Sequence, residues 1–229
     1  MFKGVLDNRT IIIRKYIIRK NDNDNDEVRS RVIRDIKISM LMSSHKNALK
    51  LLGCCLEFPL PALVHENAAK GVLRDDGSLR ETNGGQSLLP WKTRLRIAKQ
   101  LANALTYLHT AFSRPIIHRN LRSTCIFLDD DYVPKLSNFS FSISDPPKQS
   151  HVKGDNKKRA SGYTDPDYLA TDYITEKTDV YSFGVLLLVL LMQRAAYSNQ
   201  AGELDITANP KFMFLMARLK FRQLWILKY

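Results

Sequence analysis

Four polar side chains in this sequence set what chemistry it could do, and only one of them is charged. Asn120 lies in Pro115-Ile116-Ile117-His118-Arg119-Asn120-Leu121-Arg122, Cys125 follows five positions later, and Asn138 lies in Lys135-Leu136-Ser137-Asn138-Phe139-Ser140. Arg14 ends the run Thr10-Ile11-Ile12-Ile13. An amide has no carboxylate charge, so Asn120 cannot take up a proton as a general base. The amide oxygen of Asn138 can touch a cation but cannot neutralise it. The Cys125 thiol is a poor ligand for a hard cation that prefers oxygen. Arg14 keeps a positive charge on a bulky planar fork. The set offers one fixed cation and no carboxylate.

The elements that must position these residues follow from local pattern. Residues 4–20 read as two strands joined by the turn chemistry of Asp7-Asn8-Arg9, the second strand carrying the β-branched run. The alternating Asn21–Asp26 stretch reads as a solvated loop. It is not a calcium loop, because Glu27 and Ile33 occupy the positions that need Gly and Glu. Residues 28–43 carry Val28, Val32, Ile36, Ser39-Met40 and Ser43 at roughly helical spacing. Residues 49–56 and 62–65 read as short strands separated by Pro59 and Pro61. Residues 71–89, rich in Gly, Asp and Ser, read as loop. Trp91–His109 places Leu95, Ile97-Ala98, Leu101-Ala102, Leu105 and Leu108 on one face of an amphipathic helix. Val180–Met192 is almost wholly apolar but only 13 residues long, against about 20 needed to cross a bilayer. It reads as a buried central helix. Strands first and helices after imply an α+β protein.

Composition bounds the function. The chain has 229 residues, 44% hydrophobic and 25% charged, as expected of a soluble globular protein with a sizeable core. Its 35 Lys+Arg against 23 Asp+Glu give a net charge of +12, which favours acidic partners. No base-reading motif accompanies that charge, so specific nucleic-acid binding is not expected. Cys54 and Cys55 are adjacent and Cys125 stands alone, which suits neither a disulfide framework nor a zinc site. No metal is expected. Met1–Val5 lacks the apolar run of a signal peptide, so the expected location is cytoplasmic.

Longer motifs carry a resemblance. Trp91…Arg94-Leu95-Arg96-Ile97-Ala98, Ala104-Leu105-Thr106-Tyr107-Leu108-His109 and the His118 loop resemble plant receptor-like kinases of the wall-associated type. So do His45-Lys46-Asn47, Leu51–Glu57, Gly162–Tyr168 and Thr175–Gly184. The opening Val5-Leu6-Asp7-Asn8-Arg9-Thr10 and His118–Ser123 are most similar to the ZED-related pseudokinase adaptors of crucifers. The likeness covers roughly residues 2–192.

The resemblance implies a bilobal protein kinase-like fold, truncated at both ends, with no Gly-rich loop strand and with the last helices of the second lobe missing or replaced. It implies a reduced first lobe over residues 1–68, a hinge near His65–Ala69, a partial second lobe over 69–192 and a divergent basic tail over 193–229. By residue, Asn120 takes the place of the catalytic aspartate, Cys125 and Asn138 the places of the magnesium ligands, and Arg14 the place of the phosphate-binding lysine, with Asp35 as its carboxylate partner. Ala160 stands where relatives place a threonine. His118, Arg119, Phe139, Gly162 and Asp179 are the framework of the family's catalytic loop and remain. The implied function is a catalytically inactive adaptor in plant innate immunity, bridging an intracellular NLR receptor and receptor-like cytoplasmic kinases, with no cofactor. The alternative is a weak, Mg-ATP-dependent Ser/Thr kinase. Lys148–Arg159 reads as a docking patch or a solvated loop. In the tail, Phe212, Phe214, Leu215, Leu219, Phe221, Trp225 and Leu227 alternate with Arg218, Lys220, Arg222 and Lys228. That pattern suits peripheral contact with an anionic membrane, a patch over exposed core, or a chance sequence.

Overall fold

The computed structural model describes residues 1–17, 25–80, 85–144, 152–153 and 162–196. The first lobe is a four-stranded antiparallel sheet of β1 (Phe2–Leu6), β2 (Arg9–Arg14), β3 (Leu51–Cys55) and β4 (Ala62–Glu66), in the order β1-β2-β4-β3. Asp7 and Asn8 both have positive φ, 49° and 61°, the paired left-handed turn that matches the twist of a two-residue hairpin. That turn fixes Leu6 opposite Arg9 and Phe2 opposite Ile13.

Helix α1 (Asn25–Leu41) begins inside the Asn/Asp run that the sequence suggested was loop. Asp26 and Glu27 lie in its first turn, where negative charge is favoured by the exposed backbone N–H groups. Residues 21–24 lie outside the described residues. The buried positions of α1 are Val28, Val32, Asp35 and Ser39. Ile36 is half-buried and Met40 exposed, so the helix turns a carboxylate inward where the pattern suggested an aliphatic.

The second lobe is built on α2 (Trp91–Thr110) and α4 (Glu176–Met192), with the short α3 (Pro166–Thr171) between them in sequence. Ile97, Leu101, Ala104 and Leu108 of α2 share one core with Tyr181, Val185, Leu186 and Val189 of α4. Thr175 caps α4 by accepting from Lys177 N at 3.2 Å, and Thr178 Oγ1 accepts from Thr175 N at 3.3 Å, a capping box. At the other end, Arg94 Nη1 of α2 donates to the carbonyls of Leu190 and Leu191 at 3.0 and 2.6 Å. None of the described helices is long and apolar enough to cross a membrane.

Residues 71–89 are more than loop. β5 (Gly71–Val72) pairs with β9 (Ile126–Leu128), which pairs with β10 (Pro134–Leu136). β6 (Leu79–Arg80) pairs with β7 (Gln86–Ser87). Leu73, Leu79 and Leu89 are buried, and these three anchors among polar residues hold the segment down. Gly77 has φ +77°, and a Cβ there would stand 3.3 Å from the Val189 carbonyl oxygen. Two further pairs frame the loop regions: β8 (Ile116–Ile117) with β11 (Ile143–Ser144), and β12 (Val152–Lys153) with β13 (Tyr173–Ile174).

Asp179, wholly buried in α4, ties this lobe to the His118 loop. Its carboxylate accepts from His118 N at 2.6 Å and Arg119 N at 2.8 Å, and His109 Nε2 of α2 lies 3.0 Å away. The two amide bonds hold Arg119 at φ +66°, a conformation that a non-glycine residue rarely adopts unaided. Asp179→Ala leaves these donors buried and unpaired. We expect a loss of about 3 kcal/mol or more in urea unfolding, whereas a loss under about 1 kcal/mol would mean that water replaces the carboxylate.

Candidate functional site

The loop after β8 is fixed by its own histidine. His118 is fully buried, its Nε2 lies 3.1 Å from the Ser137 carbonyl, and its Nδ1 accepts from Asn120 N at 3.3 Å. That pattern selects the neutral Nε2–H tautomer, and burial lowers the pKa of the ring. The ring also meets Phe139 edge-on at 5.4 Å. His118 is therefore a brace and not a proton carrier. The half-buried Asn120 accepts at its carbonyl from Cys125 Sγ at 3.2 Å.

Asn138 begins the turn after β10 in the left-handed conformation, φ +69°, which asparagine tolerates better than most residues. Its Oδ1 accepts from Ser140 Oγ at 3.0 Å and, more weakly, from Arg14 Nη1 at 3.5 Å. Its Nδ2 faces Cys125 Sγ at 3.7 Å. Cys125 is wholly buried, and that burial raises its pKa and keeps the thiol protonated. Arg14, Asn138 and Cys125 are thus brought together, and Asn120 meets Cys125 through its backbone.

Asp35 is the centre of this cluster. Its side chain is fully buried. It accepts from Arg14 Nη1 at 2.8 Å, from the Tyr16 hydroxyl, and from Phe139 N at 2.8 Å. Burial would lower the pKa of Arg14, but the Asp35 charge and the hydrogen bonds to Asp35 and Tyr16 leave it raised. Burial raises Tyr16, and the Asp35 charge raises it further. The guanidinium is charged and engaged.

The donor set does not fit magnesium. A hard dication takes oxygen ligands, carboxylates above all. Here it would meet one amide oxygen already hydrogen-bonded and one buried thiol. Among the described residues no group of three or more His, Cys, Asp and Glu side chains could hold a metal ion.

An apolar cluster lies beside the polar one. Ile12 of β2, Leu49, Ala68 and Phe127 of β9 pack together, all buried. They join the sheet, the connection between the lobes and the second lobe. Burying Ile12 and Phe127 stabilises this closure by about 1.5–3 kcal/mol each, and a ligand entering between them would re-expose them. An open cleft of about 960 Å³ is lined by Lys3, Lys70, Gly71, Arg74, Asp75 and Thr124 among others, but not by Arg14, Phe127 or Asn138.

These positions are those of a known family. The model for protein tyrosine and serine/threonine kinases matches residues 2–205. The chain belongs to the protein kinase family. Over 97% of its length it is 44% identical to the non-functional pseudokinase ZED1 of Arabidopsis thaliana, and over 85% it is 44% identical to the serine/threonine-protein kinase ZRK1 of the same plant. It is 38% identical over 83% of its length to wall-associated receptor kinase-like 17, also of Arabidopsis thaliana. The chain spans 64% of the length of the first relative, 55% of the second and 23% of the third. The run Ile11-Ile12-Ile13-Arg14 resembles the kinase pattern Val-Ala-Ile-Lys, with isoleucine at its second place and arginine at its fourth. His118-Arg119-Asn120 and Asn138-Phe139-Ser140 resemble His-Arg-Asp and Asp-Phe-Gly, with asparagine where each pattern has aspartate.

Ala160 and the Lys148–Arg159 stretch, apart from the backbone of β12, lie outside the described residues. Sequence reasoning missed Tyr16 and the Phe139 amide as partners of Asp35. It also missed the Ile12–Phe127 closure, for which the isoleucine at an alanine position was a visible signal. His65 was missed as well. It stands opposite Ile12 on β4 and is 2% exposed. Burial, then the Arg14 charge, lowers its pKa to about 4, offset only in part by Asp35 and by the backbone of Leu49 and Lys50. The folded ring stays neutral while the unfolded ring protonates near its ordinary value, about 6.5. Its contribution is therefore fully present above pH 6.5 and is lost as pH falls toward 4. In urea titrations across that window, wild type should lose stability faster than His65→Leu, by up to about 1.4 kcal/mol per pH unit. Parallel profiles would mean that the buried ring titrates normally.

Proposed function

We propose that this chain is a catalytically silent kinase-fold protein that works by binding other proteins. The observation that carries the reading is that the groups at the catalytic positions are bonded to one another. Arg14 is held by Asp35, Asn138 by Ser140 and Arg14, and Cys125 is buried against both asparagines. Neither aspartate position retains a carboxylate, and general base catalysis alone is worth about 10²–10⁴-fold. With several parts of one transition-state machine altered, repairing one recovers little.

The framework is kept where the chemistry is not. A surface borne on a rigid kinase scaffold suits an adaptor, and the relatives named non-functional pseudokinases support that reading. By the resemblance to the ZED-related group, the role is in plant innate immunity, between an intracellular NLR receptor and receptor-like cytoplasmic kinases. The place of action is the cytoplasm, with contact to the inner face of the plasma membrane through the basic residues beyond 210.

One observation favours a second reading, a residual Ser/Thr kinase. Arg14 keeps a cation paired with a carboxylate from α1, as the nucleotide-binding lysine is paired in active kinases. Some similar relatives also carry the name serine/threonine-protein kinase. Titration with Mg-ATP separates the two. The adaptor reading expects an unchanged melting temperature up to millimolar nucleotide, whereas a rise that grows with ligand marks a working site. The variant carrying both Asn120→Asp and Asn138→Asp should remain unable to transfer phosphate to a general protein substrate while retaining the partners that co-purify with wild type. Recovered phosphotransfer would overturn the adaptor reading.

A further inference from the structure

Cations from four places in the chain converge on the open cleft. Lys3 of β1, Lys70 just before β5, Arg74 just after it and Arg80 of β6 line it, against the carboxylates of Asp75 and Asp76. Asp76 is already engaged, accepting from Ser78 N at 3.0 Å and from Ser78 Oγ at 2.6 Å. Among the described residues none of the four cations forms an ion pair. A concave surface with an excess of one sign of charge focuses its field and gathers counter-ions.

These cations stand on ordered backbone. Leu73 and Leu79, next to Arg74 and Arg80, are buried. Leu73 N donates to the Ile126 carbonyl and Arg74 N to the Ser78 carbonyl, each at 2.9 Å. Lys70 Nζ lies over the Tyr132 ring, 5.0 Å from its centroid. Lys3 is opposite Ile12 in the sheet, which places both on one face. Thr124 adds a hydroxyl to the wall, able to donate or accept.

We infer that this cleft binds a compact ligand with several phosphates and no aromatic ring, of the inositol polyphosphate class. The charge calls for a polyanion, and arginine with lysine is the pairing that holds phosphate oxygens. A volume of about 960 Å³ lies at the upper end of small-ligand sites, roughly 300–1,000 Å³. A flat aromatic ring needs an apolar slot. Ile12, Ala68 and Phe127 adjoin the lining residues Lys3, Ala69 and Val72, but they are buried against one another. A soluble inositol polyphosphate and a phosphoinositide headgroup share the chemistry that fits. The inference stands apart from the adaptor reading, because ligand binding can fail while partner capture persists, and the reverse.

Isothermal titration calorimetry of the full chain with inositol hexakisphosphate, without magnesium and at about 0.15 M salt, tests it. Saturable binding is expected, weakened about tenfold or more when Lys70→Gln is combined with Arg74→Gln. Lys3→Gln with Arg80→Gln should weaken it similarly, so the result does not hang on the Lys70–Tyr132 contact. Lys92→Gln with Lys99→Gln removes the same charge from exposed positions of α2 and should leave binding unchanged. An equal loss in that α2 pair, or equal displacement by poly-glutamate or by ATP, would make the binding general to anions or to nucleotides and overturn the inference. Co-sedimentation with phosphatidylcholine vesicles containing phosphatidylinositol bisphosphate separates the sources. Capture that the hexakisphosphate competes away, and that the Lys70 and Arg74 changes abolish, assigns the headgroup; calorimetric binding without capture assigns the soluble ligand. Binding in neither experiment, or capture that the Lys70 and Arg74 changes leave intact, would overturn the inference.

Discussion

A carboxylate taken wholly out of water has to be met by donors, because an unpaired buried charge costs several kcal/mol. Asp35 meets this constraint with three donors from two parts of the chain: Arg14 and Tyr16 at and just beyond the end of β2, and the Phe139 amide after β10. No two of these elements can shift apart without leaving one of the groups unsatisfied. The sheet, α1 and the second lobe are therefore registered against one another by a single side chain. Leu49 N and Leu136 N add backbone bonds across the same junction, to Leu136 O and Asn47 O, each at 2.8 Å.

The second buried carboxylate, Asp179, does for the lower lobe what Asp35 does between the lobes. It holds the His118 and Arg119 amides and faces His109. The loop that would carry a general base is therefore held in shape although Asn120 is no base. The two acidic residues that order these loops are buried and fully engaged, and Asn120 and Asn138 beside them carry amides. The structural demands of the loop and its chemical demands fall on different residues, so one set can change while the other stays.

The interior between the lobes extends the same point. In an active kinase the nucleotide joins the two lobes. Here Ile12, Leu49, Ala68 and Phe127 meet directly, and Arg14 is bonded to protein groups. This junction is built from apolar side chains. His65 lies buried at this junction, where burial and the Arg14 charge favour its neutral form.

Much of the fold was legible because its causes are local. The Asp7-Asn8 turn, the β-branched run before Arg14, the stripe of α2 and the apolar run of α4 each declare their element within a few residues. The start of α1 in an Asn/Asp run was not legible, since propensity suggested loop while the acidic first turn and the packing of Val28 and Val32 favoured helix. Residues 71–89 were misread because three buried leucines outweigh a polar composition. The amides at 120 and 138, the thiol at 125 and the guanidinium at 14 are properties of the sequence alone, and with them the lack of carboxylates at those positions. That Asp35 reaches the Phe139 amide, 104 residues away, or that Ile12 closes on Phe127, was decided only by tertiary structure. Periodicity records which face of an element is apolar; which distant group will meet that face depends on how the elements are stacked.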